Sequence, residues 1–526
     1  MPPSRPPLLL AKEASPAVLN IVPAPRASPS QSVNGLDAQA FDFFRVRAAP
    51  TIAGHFSANL WEYLVLQLSQ RHLLIRQAST AVGAMTHFLS SGPGCLASSK
   101  TAKSQYSLAL TNYGKAVAGL RAYIEKTSAT RDNEVTFVVL VSCLLFICFE
   151  MLQGDQKSVI SHLIRGLKIL FAQHKPVQSA SSAMRPVILG SDFPDAMDSL
   201  IDVFVRLDAD STMFGRRSTY LSTTCRCCCQ GSEVGVVHDF RTVKEARSHL
   251  DLLTNSTFNL RGRILKLTEK TVASQQSGEE QTSPLEAGDW ARRYCNLYAL
   301  SRSIDLTTSA EGKKLLAKQE ELTVAFEAWS SGLAGLASDA DKLSVLMLRI
   351  QHFFAWFVVS TLRDRTEMLC DRFSSTFTEV VELAREYMEN TKHQVTRCGF
   401  ALESGVLRSL YIIGLKCRDS CIRRHAVALL RSATVQEGLW SGKVFAAYLQ
   451  RIIVVEEAQA RQLMPGLAAS VDLTYNTMPE EARFRDVVLA SDDTRPLTGR
   501  IVCAQPAAED GIGMTFMEDT FELFSI

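Results

Sequence analysis

The longest uncharged stretch of the chain, from Val135 to Phe149, places the strongest limit on its fold. It reads VTFVVLVSCLLFICF and contains no charged side chain. A bilayer crossing needs about 20 apolar residues, whereas this run ends at Glu150 and the polar turn Gln153-Gly154-Asp155. A helix that is apolar on every side must be surrounded by other helices. We therefore predict a buried core helix and no membrane association.

Apolar residues recur at helical spacing on both sides of this run. One stripe precedes it at Leu108, Leu110, Tyr113, Ala116, Val117 and Leu120, and another follows at Val159, Ile160, Leu163, Leu167 and Leu170. Apolar residues three and four positions apart lie on one face of a helix. The uncharged run, the Gln-Gly-Asp turn and the second stripe together predict a helical hairpin. No alternation of strand and helix patterns is present, so we predict an all-α, multi-helical fold.

Composition divides the chain into five parts. Residues 1–38 are rich in Pro and Ser and predict a disordered leader, because they carry too little apolar surface to offset the entropy of ordering. An N-terminal helical part is predicted at residues 39–270 and a C-terminal helical part at residues 288–463. The polar linker 271–287 joins them. Residues 464–526 predict an irregular tail with one short strand.

The charge balance argues against a protein that binds duplex DNA directly. Lys and Arg number 56 and Asp and Glu number 54, which gives a formal net charge of +2. Proteins that neutralise phosphates concentrate positive charge, since counterion release drives much of their binding. Direct DNA contact by this chain is therefore not supported by its sequence.

Four strings of sequence, in a fixed order, resemble a known family. They are CLLFICFEMLQGDQKSVISHLIRGLKIL (143–170), FVRLDADSTMFG (204–215), EARSHLDLL (245–253) and the segment that begins FALESGVLRSLYIIGLKCRDS at residue 400 and extends to Glu456 and Glu457. The set resembles the C-terminal regulatory region of fungal zinc binuclear cluster transcription factors, from about Phe41 to the tail. Arg408, Ser409 and Ser420 stand where that family usually has prolines.

The resemblance implies a nuclear transcriptional regulator that controls a metabolic or secondary-metabolite biosynthetic gene cluster. It also implies control by a small-molecule effector or by other transcription proteins. The family's zinc cluster needs six cysteines within roughly forty residues, but the first cysteine here is Cys95. We therefore expect this chain to reach DNA through a DNA-binding partner or through a zinc-cluster exon upstream.

Two other classes of function stay open beside this one. The first is a helical scaffold or partner-binding protein outside transcription, and the second is a metal-dependent helical enzyme. The sequence has no nucleotide-binding, serine hydrolase, zinc protease or deaminase motif, and Asp492-Asp493 is followed by Thr-Arg-Pro rather than by a third aspartate at the required spacing. We predict that the chain is not an enzyme, and we assign no catalytic, cofactor-binding or metal-ligating residue.

A cysteine-rich run is the most conspicuous local feature. Cys225 and Cys228 form a Cys-x-x-Cys pair within CRCCC, and His238 is close enough in sequence to share one zinc ion with them. Contiguous cysteines cannot all point at one metal. The favoured interpretation is a loop of oxidisable thiols in a reducing compartment, since the N-terminus carries no signal-peptide pattern.

Two residues near the Gln-Gly-Asp turn have structural interpretations. His162 lies on an apolar helix without an acidic or cysteine partner three or four positions away, which favours a hydrogen-bonded structural residue over a metal ligand or catalytic base. Asp155 precedes the second helix of the hairpin and fits an N-cap, because its carboxylate can accept a hydrogen bond from a free backbone amide.

One dense group of basic residues has two interpretations. Its members are Lys416, Arg418, Arg423, Arg424 and His425. They could form an anion-binding or partner-binding patch. The favoured prediction is a solvated helix face, with Asp419 and Arg423 paired one turn apart.

The last residues of the chain combine acids with aromatic side chains. Glu509, Asp510, Glu518, Asp519 and Glu522 alternate with Phe516, Phe521, Leu523 and Phe524, and no basic residue intervenes. An acidic activation segment would keep such aromatics solvated and available to a coactivator groove. The favoured alternative is a terminal strand or helix that docks on the core.

Overall fold

The computed structural model of the chain describes most of its residues. The described ranges are 35–90, 100–127, 133–173, 187–189, 196–221, 223–225, 239–275, 290–336, 341–392, 399–466, 472–492, 495–506 and 514–523. The predicted leader lies outside them except for residues 35–38, which begin the first helix. Of the predicted linker, residues 271–275 end a long helix and residues 276–287 lie outside the described residues. The division into five parts therefore stays a prediction.

Helices dominate the described residues, as the all-α prediction requires. Those of the first half are α1 (Gly35–Phe43), α2 (Ala49–Ala53), α3 (Val65–Arg71), α4 (Leu73–Ser90), α5 (Lys100–Thr127), α6 (Asn133–Gln153), α7 (Gln156–Gln173), α8 (Ala196–Ser211) and α9 (Val243–Gln275). Those of the second half are α10 (Trp290–Ser303), α11 (Ala310–Leu336), α12 (Lys342–Thr361), α13 (Ser374–Lys392), α14 (Leu407–Lys416), α15 (Ser420–Ser432) and α16 (Gly442–Leu463).

The uncharged run forms the centre of α6, as predicted. Every residue from Val138 to Leu152 is buried, among side chains of α4, α5, α7 and α8. By length and hydropathy α6 and α12 could each cross a bilayer, but most of each apolar window is buried against the rest of the protein. The prediction of a buried core helix is confirmed.

The hairpin between α6 and α7 also matches its prediction. Gly154 has a φ of 75°, a left-handed conformation that glycine adopts without steric cost. The carboxylate of Asp155 accepts a hydrogen bond of 3.1 Å from the backbone amide of Ser158. Asp155 therefore acts as the predicted N-cap, and this bond lowers the pKa of its carboxyl group.

Two short pairs of strands lie among the helices. Strands β1 (Val187–Leu189) and β2 (Thr223–Cys225) pair in parallel, as do β3 (Phe400–Ala401) and β4 (Gln436–Glu437).

The C-terminal tail contains more regular structure than its sequence predicts. Further along, β5 (Asp486–Asp492), β6 (Arg495–Pro506) and β7 (Met514–Glu522) form an antiparallel sheet in that order. Where the sequence predicted an irregular tail with one short strand, the structure has three strands.

The sheet escaped prediction because both faces of its central strand are buried. Ile501 and Cys503 pack against the side chains of α16, whereas Val502 and Ala504 pack against α10. A strand covered on both faces reads as a continuous apolar run and lacks the alternation of a half-exposed strand. The acidic stretch 514–522 is strand β7 of this sheet, which is the docked alternative.

The crossing of α1 and α4 generates the first testable prediction. A Cβ atom added at Gly83 would collide with the carbonyl oxygen of Ala40 and lie 2.9 Å from the Cβ of Phe44. We expect Gly83→Ala to lower the free energy of unfolding by about 1–3 kcal/mol, because overpacking a tight crossing forces the backbones apart.

Urea unfolding of the purified chain measures this effect. Gly335→Ala is the matched control, since a Cβ at that exposed helical position meets no atom within 4 Å. Replacing a helical glycine there should raise stability by about 0.5–1 kcal/mol. Equal effects of the two substitutions would contradict the close crossing.

Candidate functional site

Four charged side chains meet where α8 and α9 contact the segment that follows β3. Arg206 lies on α8, Arg247 and Asp251 lie on α9, and Glu403 follows β3. We call this group the junction cluster. The side chains are at most 13% exposed, so their charges are largely withdrawn from water. Groups buried in this way must be paired if the fold is to tolerate them.

Arg206 is the central member of the junction cluster. Its Nη1 lies 3.1 Å from Asp251 Oδ2, and its Nη2 lies 2.7 Å from Glu403 Oε1. The same Nη2 donates to Ser57 Oγ over 3.0 Å, and Ser57 Oγ in turn donates to Glu403 Oε1 over 2.8 Å. Arg206 therefore joins α8 to α9, to the segment after β3 and to the segment between α2 and α3.

Arg247 makes a second bridge between the same two acids. Its Nε lies 3.1 Å from Asp251 Oδ1, one turn along α9, and its Nη2 lies 3.4 Å from Glu403 Oε2. Its Nη1 donates to Gln351 on α12, and the guanidinium carbon lies 4.7 Å from the ring centre of Phe56. Two arginines thus face two carboxylates, and the junction cluster is electrically balanced.

Burial and pairing have opposite effects on the acids of this region. Burial alone would raise the pKa of Glu403, but Arg206 and Arg247 lower it below its ordinary value. Asp202 lies one turn before Arg206 on α8. Burial raises its pKa to about 6, although Arg206 opposes this shift.

A small polar cavity adjoins the junction cluster. Its walls include Thr254, Ser404 and the ion pair between Asp210 and Arg408. The Nε atoms of Arg206 and Arg408 have no hydrogen-bond partner among the described residues. The cavity has room for about one water molecule, and an ordered water there would satisfy such donors.

Three of the four resemblance strings build this region. The string 204–215 supplies Arg206 and Asp210, the string 245–253 supplies Arg247 and Asp251, and the segment from residue 400 supplies Glu403 and Arg408. Within the strings these residues carried no site prediction. Arg206 and Glu403 pair across almost 200 residues of sequence, and no local spacing rule predicts a contact over such a separation.

A second ionic group surrounds the buried carboxylate of Glu367. Both carboxylate oxygens accept hydrogen bonds of 2.8 Å from Lys416 Nζ, and Oε1 lies 2.6 Å from Arg302 Nη1. Glu367 is fully buried and has a φ of 59°. A residue other than glycine in this left-handed region is strained by about 1–3 kcal/mol.

Arginines of the same region hold a second carboxylate. Glu456 on α16 lies 2.8 Å from Arg418 Nη2 and 2.8 Å from Arg423 Nη1, and it accepts a bond of 2.9 Å from the backbone amide of Phe484. We call the whole set the anchor cluster, which comprises Arg302, Glu367, Lys416, Arg418, Arg423 and Glu456.

The anchor cluster corrects the prediction of a solvated basic face. Lys416, Arg418 and Arg423 are buried, and the predicted pair of Asp419 with Arg423 does not form. Asp419 instead caps α15 through the backbone amides of Cys421 and Ile422. Only Arg424, which lies 2.6 Å from Glu457, has the exposed side chain that the prediction required.

His162 has a partner that its local sequence did not reveal. Its Nε2 lies 3.1 Å from Glu150 Oε1, an atom that also accepts a bond of 2.5 Å from the hydroxyl of Tyr113. These contacts tie α5, α6 and α7 together, in agreement with a structural histidine. Of the cysteine-rich candidates, Cys228 and His238 lie outside the described residues, and the side chain of Cys225 does too.

Through their charges, these clusters can couple the positions of the helices that carry them. Each buried acid of the two clusters lies against at least two cations, and no group of three or more metal-ligating side chains occurs in the described ranges. Removing one partner of a buried pair costs far more than the pair contributes. The junction cluster therefore favours one arrangement of α8, α9 and the segment after β3 over others.

Comparison with known proteins gives two findings. The family model of the fungal-specific transcription factor domain matches residues 39–311. An alignment over 513 residues is 22% identical to the "Aspercryptin biosynthesis cluster-specific transcription regulator atnN" of Emericella nidulans, and it covers 85% of this chain and 76% of that protein. No solved structure matches the chain.

Neutralising Glu367 tests the anchor cluster. We expect Glu367→Gln to lower the free energy of unfolding by about 3–5 kcal/mol, because it leaves buried cations without their counter-charge. The control is Glu382→Gln, since Glu382 is 48% exposed and pairs with Arg385 at the surface. Urea unfolding at neutral pH should show little change for the control.

The same carboxylate predicts a pH dependence. Burial would raise the pKa of Glu367, but Lys416, Arg302 and Arg418 lower it from 4.5 to about 2. Stability from a carboxyl group whose folded pKa is depressed is present above the unfolded pKa and is lost as pH falls toward the folded pKa. Stability should therefore decline between pH 4.5 and about 2, with a smaller slope in Glu367→Gln. Equal slopes in the two proteins would contradict the charged anchor.

Proposed function

The chain belongs to the fungal-specific transcription factor family, and from this premise we propose that it controls the genes of one secondary-metabolite biosynthetic cluster. It is a transcriptional regulator, since the family match covers residues 39–311. The observation that carries the finer proposal is the relative aligned over 85% of the chain, whose name describes a cluster-specific regulator. Family membership also favours regulation over a scaffold outside transcription or an enzyme.

The junction cluster is the part of the structure best suited to transmit a regulatory signal. Arg206, Arg247 and Asp251 lie within the matched segment 39–311, and Glu403 and Gln351 lie beyond it. If segment 39–311 moves against the part of the chain that carries Gln351 and Glu403, several buried ion pairs must break and re-form together. Such an interface has discrete arrangements rather than a continuum, which is what a switch requires.

Contact with promoter DNA is proposed to come through another protein. The formal net charge of +2 offers no excess of cations for phosphates. We propose that the chain acts in the nucleus and assembles there with a DNA-binding partner. A small-molecule effector would act on the balance between arrangements of the helical parts.

Deletion of the gene, combined with chromatin immunoprecipitation of the tagged full chain, tests this function. We expect a coordinated change in transcripts from one contiguous group of biosynthetic genes, with the tagged protein enriched at their promoters. A gel-shift assay with the purified chain and the same promoter fragments should show no complex until a nuclear extract is added. Unchanged transcripts together with no promoter enrichment would contradict the proposal.

Paired substitutions test the role of the junction cluster. Glu403→Met alone should lower the free energy of unfolding by about 3–5 kcal/mol, because Arg206 and Arg247 lose a buried counter-charge. Arg206→Met together with Glu403→Met should recover much of that loss, since the remaining pair of Arg247 with Asp251 stays balanced. Urea unfolding measures both effects.

Transcript output separates signalling from stability. The double variant should still change transcript levels of the target genes, because the link from α8 to Glu403 is absent while the fold is intact. Glu382→Gln serves again as the surface control. Wild-type output from a stable double variant would show that the cluster only holds the fold together.

A further inference from the structure

Arg261 on α9 is a buried arginine without a carboxylate partner in the described part of the chain. It is 9% exposed, and its Nε has no hydrogen-bond partner there. The other arginines that are as buried in the described ranges all lie within 3.5 Å of a carboxylate oxygen: Arg247, Arg408, Arg418, Arg423, Arg483 and Arg485. A buried cation is costly unless an anion balances it. The charge of Arg261 is therefore left unbalanced by these residues.

The groups that Arg261 does contact are neutral. Its Nη2 donates a hydrogen bond of 3.0 Å to the carbonyl oxygen of Thr212, and its Nη1 lies 3.6 Å from the sulfur of Met213. The guanidinium carbon lies 4.7 Å from the ring centre of Phe258 and 5.4 Å from that of Tyr298. A carbonyl dipole and two aromatic faces reduce the cost of a buried charge, but they do not cancel the charge.

Two tyrosines of α10 provide a further hydrogen-bond donor in this region. The hydroxyl oxygens of Tyr294 and Tyr298 are 2.9 Å apart and share one hydrogen bond. Two hydroxyl groups carry two hydrogen atoms, so one remains for another acceptor. Burial raises the pKa of Tyr294 well above its ordinary value, whereas Arg261 and Arg217 oppose that rise. Tyr294 is therefore a neutral donor within the electrostatic reach of both arginines.

We propose that Arg261 binds an oxyanion from solution, a carboxylate or phosphate group, where α9, α10 and the segment after α8 meet. Arg261 supplies the charge and its Nε–H, and one tyrosine hydroxyl supplies a second hydrogen bond. Hydrogen bonds from a guanidinium to an oxyanion are charge-assisted and stronger than those between neutral groups. Arg217 contributes less, because Glu269 already pairs with it.

The missing counter-charge favours an oxyanion over a water molecule at this site. An ordered water would satisfy the Nε–H of Arg261 but would leave its positive charge in place. An oxyanion satisfies the donor and balances the charge together. The occupant is therefore defined by its chemistry, as a solute with an ionised acidic group.

Unfolding of the purified full chain in different sodium salts tests the proposal. Sodium acetate or sodium phosphate replaces sodium chloride at constant ionic strength, and the urea midpoint is measured as the oxyanion concentration rises. A ligand that binds only the folded state raises stability along a curve set by its dissociation constant. We expect such a saturable rise for the wild-type chain, and the oxyanion with the lower dissociation constant identifies the group as a carboxylate or a phosphate.

Arg261→Met removes the charge and leaves an apolar side chain beside Met213 and Phe258. We expect the saturable rise to disappear. In chloride the variant should be at least as stable as the wild-type chain, since replacing a buried unbalanced charge by an apolar group of similar size is often neutral or stabilising. Arg349→Met is the matched control and should keep the wild-type curve, because Arg349 is 46% exposed and pairs with Glu379.

Arg261→Lys gives a second measurement if the methionine variant does not fold. It keeps the positive charge but lacks the Nε–H and the planar fork, so the dissociation constant of the oxyanion should rise at least about tenfold. The proposal is overturned if neither oxyanion gives a saturable rise in the wild-type chain. It is also overturned if the variants of Arg261 show the same rise as the wild-type chain, since Arg261 would then serve only to hold Thr212 and its neighbours.

Discussion

The buried carboxylate of Glu367 organises the C-terminal half of the protein. Lys416 reaches it from α14 and Arg302 reaches it from α10, while the backbone at Glu367 itself is left-handed. Arg302 also lies 3.2 Å from Asp486 at the start of β5, so one carboxylate sets the position of α10 and of the sheet it supports. Such an arrangement contributes specificity more than stability, because isolated or mismatched charges in this interior would be prohibitive. The strain at Glu367 persists only because its surroundings determine it from several sides.

The junction cluster applies the same principle where α8 and α9 meet the segment after β3. There the balance is two arginines against two acids, and the partners come from α8, α9 and the segment after β3. These residues belong to the strings that resemble the family. In the structure, that family-like sequence therefore forms this set of buried ion pairs.

Sequence patterns predicted those features that depend on neighbours along the chain. The buried core helix α6, the hairpin with α7 and the cap at Asp155 all follow from local periodicity and turn chemistry. The anchor cluster was misjudged because Lys416 and Arg423 find their acids at Glu367 and Glu456, which a helical projection of residues 416–425 does not contain. The sheet was missed for a related reason, since both faces of β6 are covered and its alternation disappears.

Because α6 is buried on every side, it affects how the protein folds during its synthesis on the ribosome. Helices α4 and α5 precede α6 in the chain, but α7 and α8, which complete its cover, emerge later. During that interval one side of a helix without a charge from Val135 to Phe149 is open to solvent. Exposed apolar surface of this kind promotes aggregation of nascent chains, so we expect synthesis of this protein to depend on chaperones that shield the helix until α7 folds back.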